Sequence, residues 1–67
     1  MDIRAQLVET AGKVWHTLND EGPQTLVQLK KRLNGESHVL NFAVGWLARE
    51  DKIDLTPDKR TFRLQLR

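Results

Sequence analysis

The sequence predicts one small α+β domain in which three helices are followed by a two-stranded β-hairpin. The N-terminal three-quarters of the chain places apolar residues three and four positions apart, as on one face of a helix. After residue 52 the apolar residues alternate with polar ones, as in a half-buried strand. A length of 67 residues with no cysteine allows a single domain that folds on packing alone. Residues 1–67 are therefore interpreted as one domain.

The first helix is predicted over residues 3–18. Its apolar stripe consists of Ile3, Leu7, Val8, Ala11, Val14, Trp15 and Leu18. We expect the helix to stop before Gly22, which can adopt a positive φ, and Pro23, which cannot continue a helical hydrogen-bond ladder.

A helix, a turn and a further helix are predicted next. A short extended piece at residues 23–24 leads to Thr25, whose hydroxyl suits the N-cap of a helix over residues 26–33. Asn34 and Gly35 break that helix, and Ser37 is the candidate cap of a third helix over residues 38–50. Two helices joined by a short turn containing glycine form a helix-turn-helix arrangement.

The C-terminal part predicts a β-hairpin with strands at residues 53–56 and 61–66. Pro57 and Asp58 suit the centre of a type I turn, which gives a connecting loop of about five residues. Since an isolated hairpin is marginal in water, its apolar face should pack on the helices.

Two segments resemble the winged helix-turn-helix regulators, namely LVQLKKRL at residues 26–33 and AVGWLAREDKI at residues 43–53. The second segment is similar to the exit from the third helix into the hairpin of that fold, with Asp51 where a glycine usually stands. The chain also resembles a group of small bacterial stand-alone winged-helix proteins of uncharacterised function. The resemblance implies that the third helix lies in a DNA major groove while the hairpin, or wing, touches phosphate or the minor groove.

Candidate DNA contacts lie on the polar strip of the third helix and on the wing. Arg49 suits guanine, Asn41 suits adenine, and Ser37 and His38 suit a phosphate or a base edge. The same residues also fit a solvated helix face, with Ser37 as the cap and Arg49 paired to a nearby carboxylate, so both interpretations stay open.

Charge favours a role for the wing. The whole chain carries +2, but residues 52–67 hold five basic and two acidic side chains, or +3, and residues 1–51 hold six and seven, or −1. The candidate phosphate contacts on the wing are Lys59, Arg60 and Arg63. Basic side chains on an edge strand also serve solubility, which is the alternative interpretation.

The third helix carries more apolar residues than one core-facing stripe needs. Val39, Phe42 and Trp46 either close the core against the hairpin residues Ile53, Phe62 and Leu64 or form a self-complementary patch in a homodimer.

The sequence gives little support to catalysis, so we expect no enzyme, no cofactor, no metal site and no small-molecule ligand. His16 and His38 have no cysteine or carboxylate at ligand spacing, Ser37 is the single serine, and the four glycines are isolated.

No apolar run indicates a signal peptide or a membrane span, which favours a cytoplasmic protein. The leading hypothesis is a dimeric DNA-binding protein, either a transcription regulator or a nucleoid accessory. The alternative is a protein-interaction module on the same scaffold.

Overall fold

A computed structural model describes residues 3–33 and 37–67. The described residues form a three-helix cluster packed on one face of a small antiparallel sheet. The elements are α1 (Ile3–Glu21), β1 (Gln24–Thr25), α2 (Leu26–Leu33), α3 (Ser37–Arg49), β2 (Ile53–Asp58) and β3 (Thr61–Leu66). The predicted break at Asn34 and Gly35 lies outside the described residues.

Helix α1 ends at the predicted glycine but is longer than predicted. Gly22 has a φ of 82°, and its N–H donates to the Leu18 carbonyl over 3.0 Å. The helix therefore continues to Glu21 rather than stopping at residue 18, because nothing before Gly22 interrupts the helical hydrogen bonds. The added turn carries Glu21, whose carboxylate forms an ion pair with Arg32 of α2.

Thr25 caps α2 as predicted. The Gln28 N–H donates to Thr25 Oγ1 over 3.1 Å, and the Thr25 N–H donates to Gln28 Oε1 over 2.8 Å. This reciprocal pair is a capping box, which satisfies two backbone donors at the start of the helix. The extended piece before α2 is also strand β1, since Gln24 pairs with Leu64 and Thr25 with Arg63.

The strand order is β1-β3-β2, so β3 is the central strand and β2 lies at an edge. The hairpin turn is tighter than predicted: Asp58 pairs with Thr61, leaving a two-residue connection of Lys59 and Arg60. Lys59 has a φ of 59°, which lets the chain reverse at once. The expected five-residue loop centred on Pro57 is therefore wrong. Proline is tolerated in β2 because an edge strand leaves one row of backbone groups unpaired.

Helix α3 runs one residue earlier at both ends than predicted. Ser37 is already helical, and Glu50 lies in the following turn. The exit is a Schellman motif: the Lys52 N–H donates to the Leu47 carbonyl over 3.0 Å and the Asp51 N–H to the Ala48 carbonyl over 3.1 Å. Asp51 has a φ of 58°, the left-handed conformation for which glycine is favoured.

The acidic residues at this exit pair with the last residue of the chain. Arg67 Nη1 lies 3.0 Å from Asp51 Oδ1, and Arg67 Nε lies 3.3 Å from Asp54 Oδ1. The Arg67 N–H also donates to the Lys52 carbonyl over 3.2 Å. Asp51 and Asp54 at the exit of α3 are therefore both held by Arg67.

The core lies between the helices and the inner face of the sheet. Leu29, Leu64 and Val14 are the largest fully buried side chains among the described residues. They are surrounded by Ala11, Leu18, Leu40, Ala43, Val44, Leu47 and Ile53. The core therefore joins all three helices to both hairpin strands.

We predict that Thr25→Ala lowers the free energy of unfolding by about 1 kcal/mol, because it removes the capping hydroxyl of α2. Urea denaturation followed by circular dichroism measures the change. Thr17→Ala is the matched control, since the Thr17 hydroxyl donates only to the Lys13 carbonyl within α1. Equal stability of the two variants would contradict the capping role.

We also predict that Asp51→Gly is more stable than Asp51→Ala by about 1 kcal/mol, because only glycine adopts the left-handed conformation without steric cost. Both variants lose the same exposed ion pair with Arg67, so the difference between them isolates the backbone term. Thermal unfolding of the two proteins side by side measures it. Identical midpoints would rule out backbone strain at this exit.

Candidate nucleic-acid interface

The exposed side of α3 carries two adjacent rows of side chains. Residues four apart lie above one another on a helix. One row, here called the polar row, consists of Ser37, Asn41, Gly45 and Arg49. All four residues are exposed to solvent. A helix with such a row offers hydrogen-bonding groups and one cation along a single line.

The second row, here called the aromatic row, consists of His38, Phe42 and Trp46. The rings of His38 and Phe42 meet edge-on, with centroids 6.4 Å apart and planes at 66°. Phe42 is 55% exposed and Trp46 is 44% exposed. These two aromatic residues therefore do not close the core against the hairpin, which excludes that interpretation for them.

A groove separates α3 from the hairpin. This wing groove is lined by Leu26, Asn41, Val44, Gly45, Leu55 and Phe62. The hairpin forms the far wall of this groove, because its apolar face continues past the residues that are buried in the core. Leu64 on that face is fully buried, whereas Leu55 is 41% exposed and Phe62 is 47% exposed. Asn41 and Gly45 of the polar row form the near wall.

Lys59 and Arg60 form the hairpin turn and are separated from Phe62 by Thr61. Both are exposed, and neither forms an ion pair within residues 3–33 and 37–67. Arg63 lies elsewhere: it pairs with Thr56 on one side and Thr25 on the other, on the face of the sheet opposite Leu64. The structure thus brings two of the three predicted wing cations to the turn and places the third on the outer face.

The acidic residues of the hairpin share that outer face. Asp54 and Asp58 alternate with Leu55 and Pro57, so their side chains leave the sheet away from the helices. The wing groove consequently has no acidic side chain in its lining. A polyanion that approaches the wing groove therefore encounters the cations of the hairpin turn and of α3. The carboxylates of the hairpin point away from it.

Arg49 is exposed at the end of α3. In the part of the chain that the structure describes, Arg49 forms no ion pair, so no described carboxylate holds it. Arg49 continues the line of Asn41 and Gly45. Its guanidinium is thus available to an external acceptor.

Val39 is only 5% exposed and lines a depression with Gln6, Thr10 and Leu40. Of the three residues predicted for a dimer interface, only Phe42 and Trp46 are therefore exposed to solvent.

Trp46 lies in a further groove between α1 and α3, here called the tryptophan groove. Its lining includes Val8, Ala11, Gly12, Trp15, Trp46 and Glu50.

Sequence reasoning missed the exposure of several apolar residues, among them Val8, Leu55 and Phe62. Each lies on an apolar stripe that the sequence pattern assigns to the core. The stripe of the hairpin is longer than the helices can cover, and only the register of the strands shows which residues extend past them. The available signal was the length of the hairpin, since a six-residue strand spans about 20 Å.

Within residues 3–33 and 37–67 no helix combines the length and apolar character needed to cross a membrane. The same described residues contain no cluster of three or more histidine or acidic side chains that could hold a metal ion.

A helix-turn-helix unit with an antiparallel hairpin beside its third helix defines a winged helix-turn-helix domain. Residues 1–66 match the family described as winged helix-turn-helix domain, DUF2582. The chain belongs to this family.

A sequence relative is the uncharacterized protein MJ1608 of Methanocaldococcus jannaschii, 39% identical over 69 residues, which cover 98% of this chain and 97% of the relative. The solution structure of protein BT2368 from Bacteroides thetaiotaomicron is 31% identical, with a TM-score of 0.77 over 98% of this chain and 79% of that one.

Two further solved structures share the fold at low sequence identity. The Zalpha domain of PKZ from Carassius auratus, solved in complex with Z-DNA, has a TM-score of 0.80 at 14% identity, covering 92% of this chain and 98% of that one. Reduced HlyU from Vibrio cholerae has a TM-score of 0.79 at 17% identity, covering 96% and 68% of the respective chains. These similarities establish the winged-helix architecture.

Proposed function

We propose that this protein binds duplex DNA through the polar row of α3 and the turn of the wing. One observation carries the proposal: Arg49, Lys59 and Arg60 are exposed cations without ion pairs in the described residues, beside a helix face that offers Asn41. Unpaired cations that flank a solvent-facing helix are the groups that duplex DNA uses. The fold shared with the Zalpha domain solved with Z-DNA supports this assignment.

Each predicted contact residue then has a role. Asn41 forms a bidentate pair with adenine, and Arg49 with guanine, in the major groove. Ser37 and His38, at the start of α3, contact a phosphate or a base edge. Lys59 and Arg60 contact phosphates at the edge of the groove. Arg63, on the outer face of the wing, contributes to the positive field rather than to the same contact surface.

The cellular role follows from this binding. We propose a non-enzymatic transcription regulator or nucleoid accessory that acts in the cytoplasm. Phosphate contacts position such a protein, and the polar row reads the bases. With two base-reading side chains per chain, one copy reads few base pairs, which favours action as a dimer on two half-sites.

The tryptophan groove supports the homodimer. Val8, Trp15 and Trp46 expose apolar surface along one side of α1 and α3. Arg4 lies at one end of this surface beside Trp46, and Glu50 and Lys52 lie at the other. In a twofold pair, this apolar surface of one chain meets the same surface of its partner across an isologous interface.

A second candidate function is a protein-interaction module without DNA binding. The aromatic row favours it, because Phe42 and Trp46 expose two large rings on the helix that would otherwise face only DNA. The two functions differ in their dependence on salt. DNA binding through phosphates weakens steeply as salt increases, whereas burial of aromatic rings does not.

We predict that the wild-type protein binds random-sequence duplex DNA. The logarithm of its association constant should fall linearly with the logarithm of the salt concentration. Replacing both Lys59 and Arg60 with alanine should lower the magnitude of that slope by about 2, since each lost phosphate contact removes about 0.9. Fluorescence anisotropy of a labelled duplex at four salt concentrations measures the slope. Lys13→Ala, a cation on α1 held by Glu9, is the control. No wild-type binding at low salt would reject DNA binding and leave the interaction module.

We predict that sedimentation of the wild-type chain gives a mass that rises from one copy to two with concentration. Trp46→Ala should shift the equilibrium towards one copy by about tenfold or more, since a buried tryptophan is worth several kcal/mol. Phe42→Ala is the matched control, because Phe42 is also an exposed aromatic residue of α3 but does not line the tryptophan groove. A single-copy mass for the wild type at all concentrations would exclude the dimer.

A further inference from the structure

Gly45 lies in the middle of α3, where glycine is costly. Relative to alanine, glycine within a helix costs about 1 kcal/mol. A close neighbour in the same protein usually explains such a residue. Here a Cβ built on Gly45 would meet no atom within 4 Å, so the packing of the described residues does not require glycine.

The space beside Gly45 opens into the wing groove. Asn41 lies one turn earlier on the same row, and Leu55 and Phe62 form the opposite wall. The walls are mainly apolar, with the Asn41 amide as the polar group, while the cations Lys59 and Arg60 form the hairpin turn, separated from Phe62 by Thr61. The groove therefore has an uncharged lining, and the hairpin that forms its far wall ends in two cations.

A helix in the major groove and a wing beyond it leave one DNA strand running between them. That strand presents phosphates at its edge and the C–H groups of deoxyribose along its flank. Phosphates match Lys59 and Arg60, whereas the C–H groups match Leu55 and Phe62. The charged phosphate edge of the strand would not match the apolar lining, whereas its sugar flank does.

We propose that the wing groove receives the sugar face of one DNA strand, with Gly45 as the point of closest approach. This inference rests on the proposed DNA binding. Leu55 and Phe62 contact deoxyribose, and the Asn41 amide is close enough to the strand to bond to it while Arg49 reads further along the groove. The absence of a side chain at Gly45 lets the strand approach the helix backbone.

The decisive experiment compares Gly45→Ala with Asn19→Ala, a substitution at an exposed position of α1 that lines none of the grooves described above. Both substitutions raise helix propensity, so Gly45→Ala should unfold about 4 °C or more above the wild type and Asn19→Ala by a smaller amount. Only Gly45→Ala should weaken binding to the duplex, by about tenfold, because its methyl group occupies the space of the strand. Light scattering confirms that both variants have the wild-type mass.

Phe62→Ala provides a second, independent measurement. It should lower the affinity for the duplex several-fold at every salt concentration while leaving the salt slope unchanged, because a sugar contact releases no counterions. Arg60→Ala should instead reduce the magnitude of the slope by about 0.9. A change of slope in Phe62→Ala would show that the wing groove faces phosphate instead.

The outcomes separate this inference from the proposal on which it rests. Wild-type binding together with wild-type affinity in both Gly45→Ala and Phe62→Ala would overturn the sugar contact and leave DNA binding intact. No wild-type binding to the duplex would overturn both. Stabilisation of Gly45→Ala with loss of affinity, while Asn19→Ala is stabilised and binds normally, is the result that supports it.

Discussion

Burial of Leu64 is the interaction on which the rest of the structure depends. This residue lies in the central strand, where it pairs with Gln24 of β1 on one side and Leu55 of β2 on the other. Its side chain is fully buried in the same cluster as Leu29 and Val14. In a small domain without disulfides, this contact holds the hairpin against the helices. The separation between α3 and the wing, and hence the width of the wing groove, is set there.

The arrangement of charge matters more than its total. A net charge of +2 is low for a nucleic-acid-binding protein. Arg67 is occupied by Asp51 and Asp54, and Arg32 is occupied by Glu21. These ion pairs neutralise two of the cations. On the side of the molecule that we propose faces DNA, the cations without ion pairs lie at the wing turn and at the end of α3. The hairpin carboxylates lie on the outer face of the sheet, so the sheet separates these negative charges from the wing groove.

Local features were predictable from the sequence and long-range ones were not. The stop at Gly22 and the cap at Thr25 depend on residues a few positions apart, and both were predicted correctly. The pairing of β1 with β3 was not, because a two-residue strand carries no periodicity. Pro57 indicated a turn, but an edge strand accommodates it. Periodicity identified Phe42 and Trp46 as apolar without showing that the core lacks room for them. The polar row follows from four-residue spacing alone, whereas the wing groove required the register of the hairpin.

Thr25 belongs to two elements at once, and this has a consequence for how the molecule opens. Its backbone is part of the sheet opposite Arg63, while its side chain begins α2. An eight-residue helix is too short to persist alone, so α2 depends on that junction. The amide protons of β1 and of the first turn of α2 should therefore exchange with solvent as one cooperative unit together with β3. Because Thr25 both pairs with β3 and caps α2, it couples the wing directly to α2, so that the two move as one body.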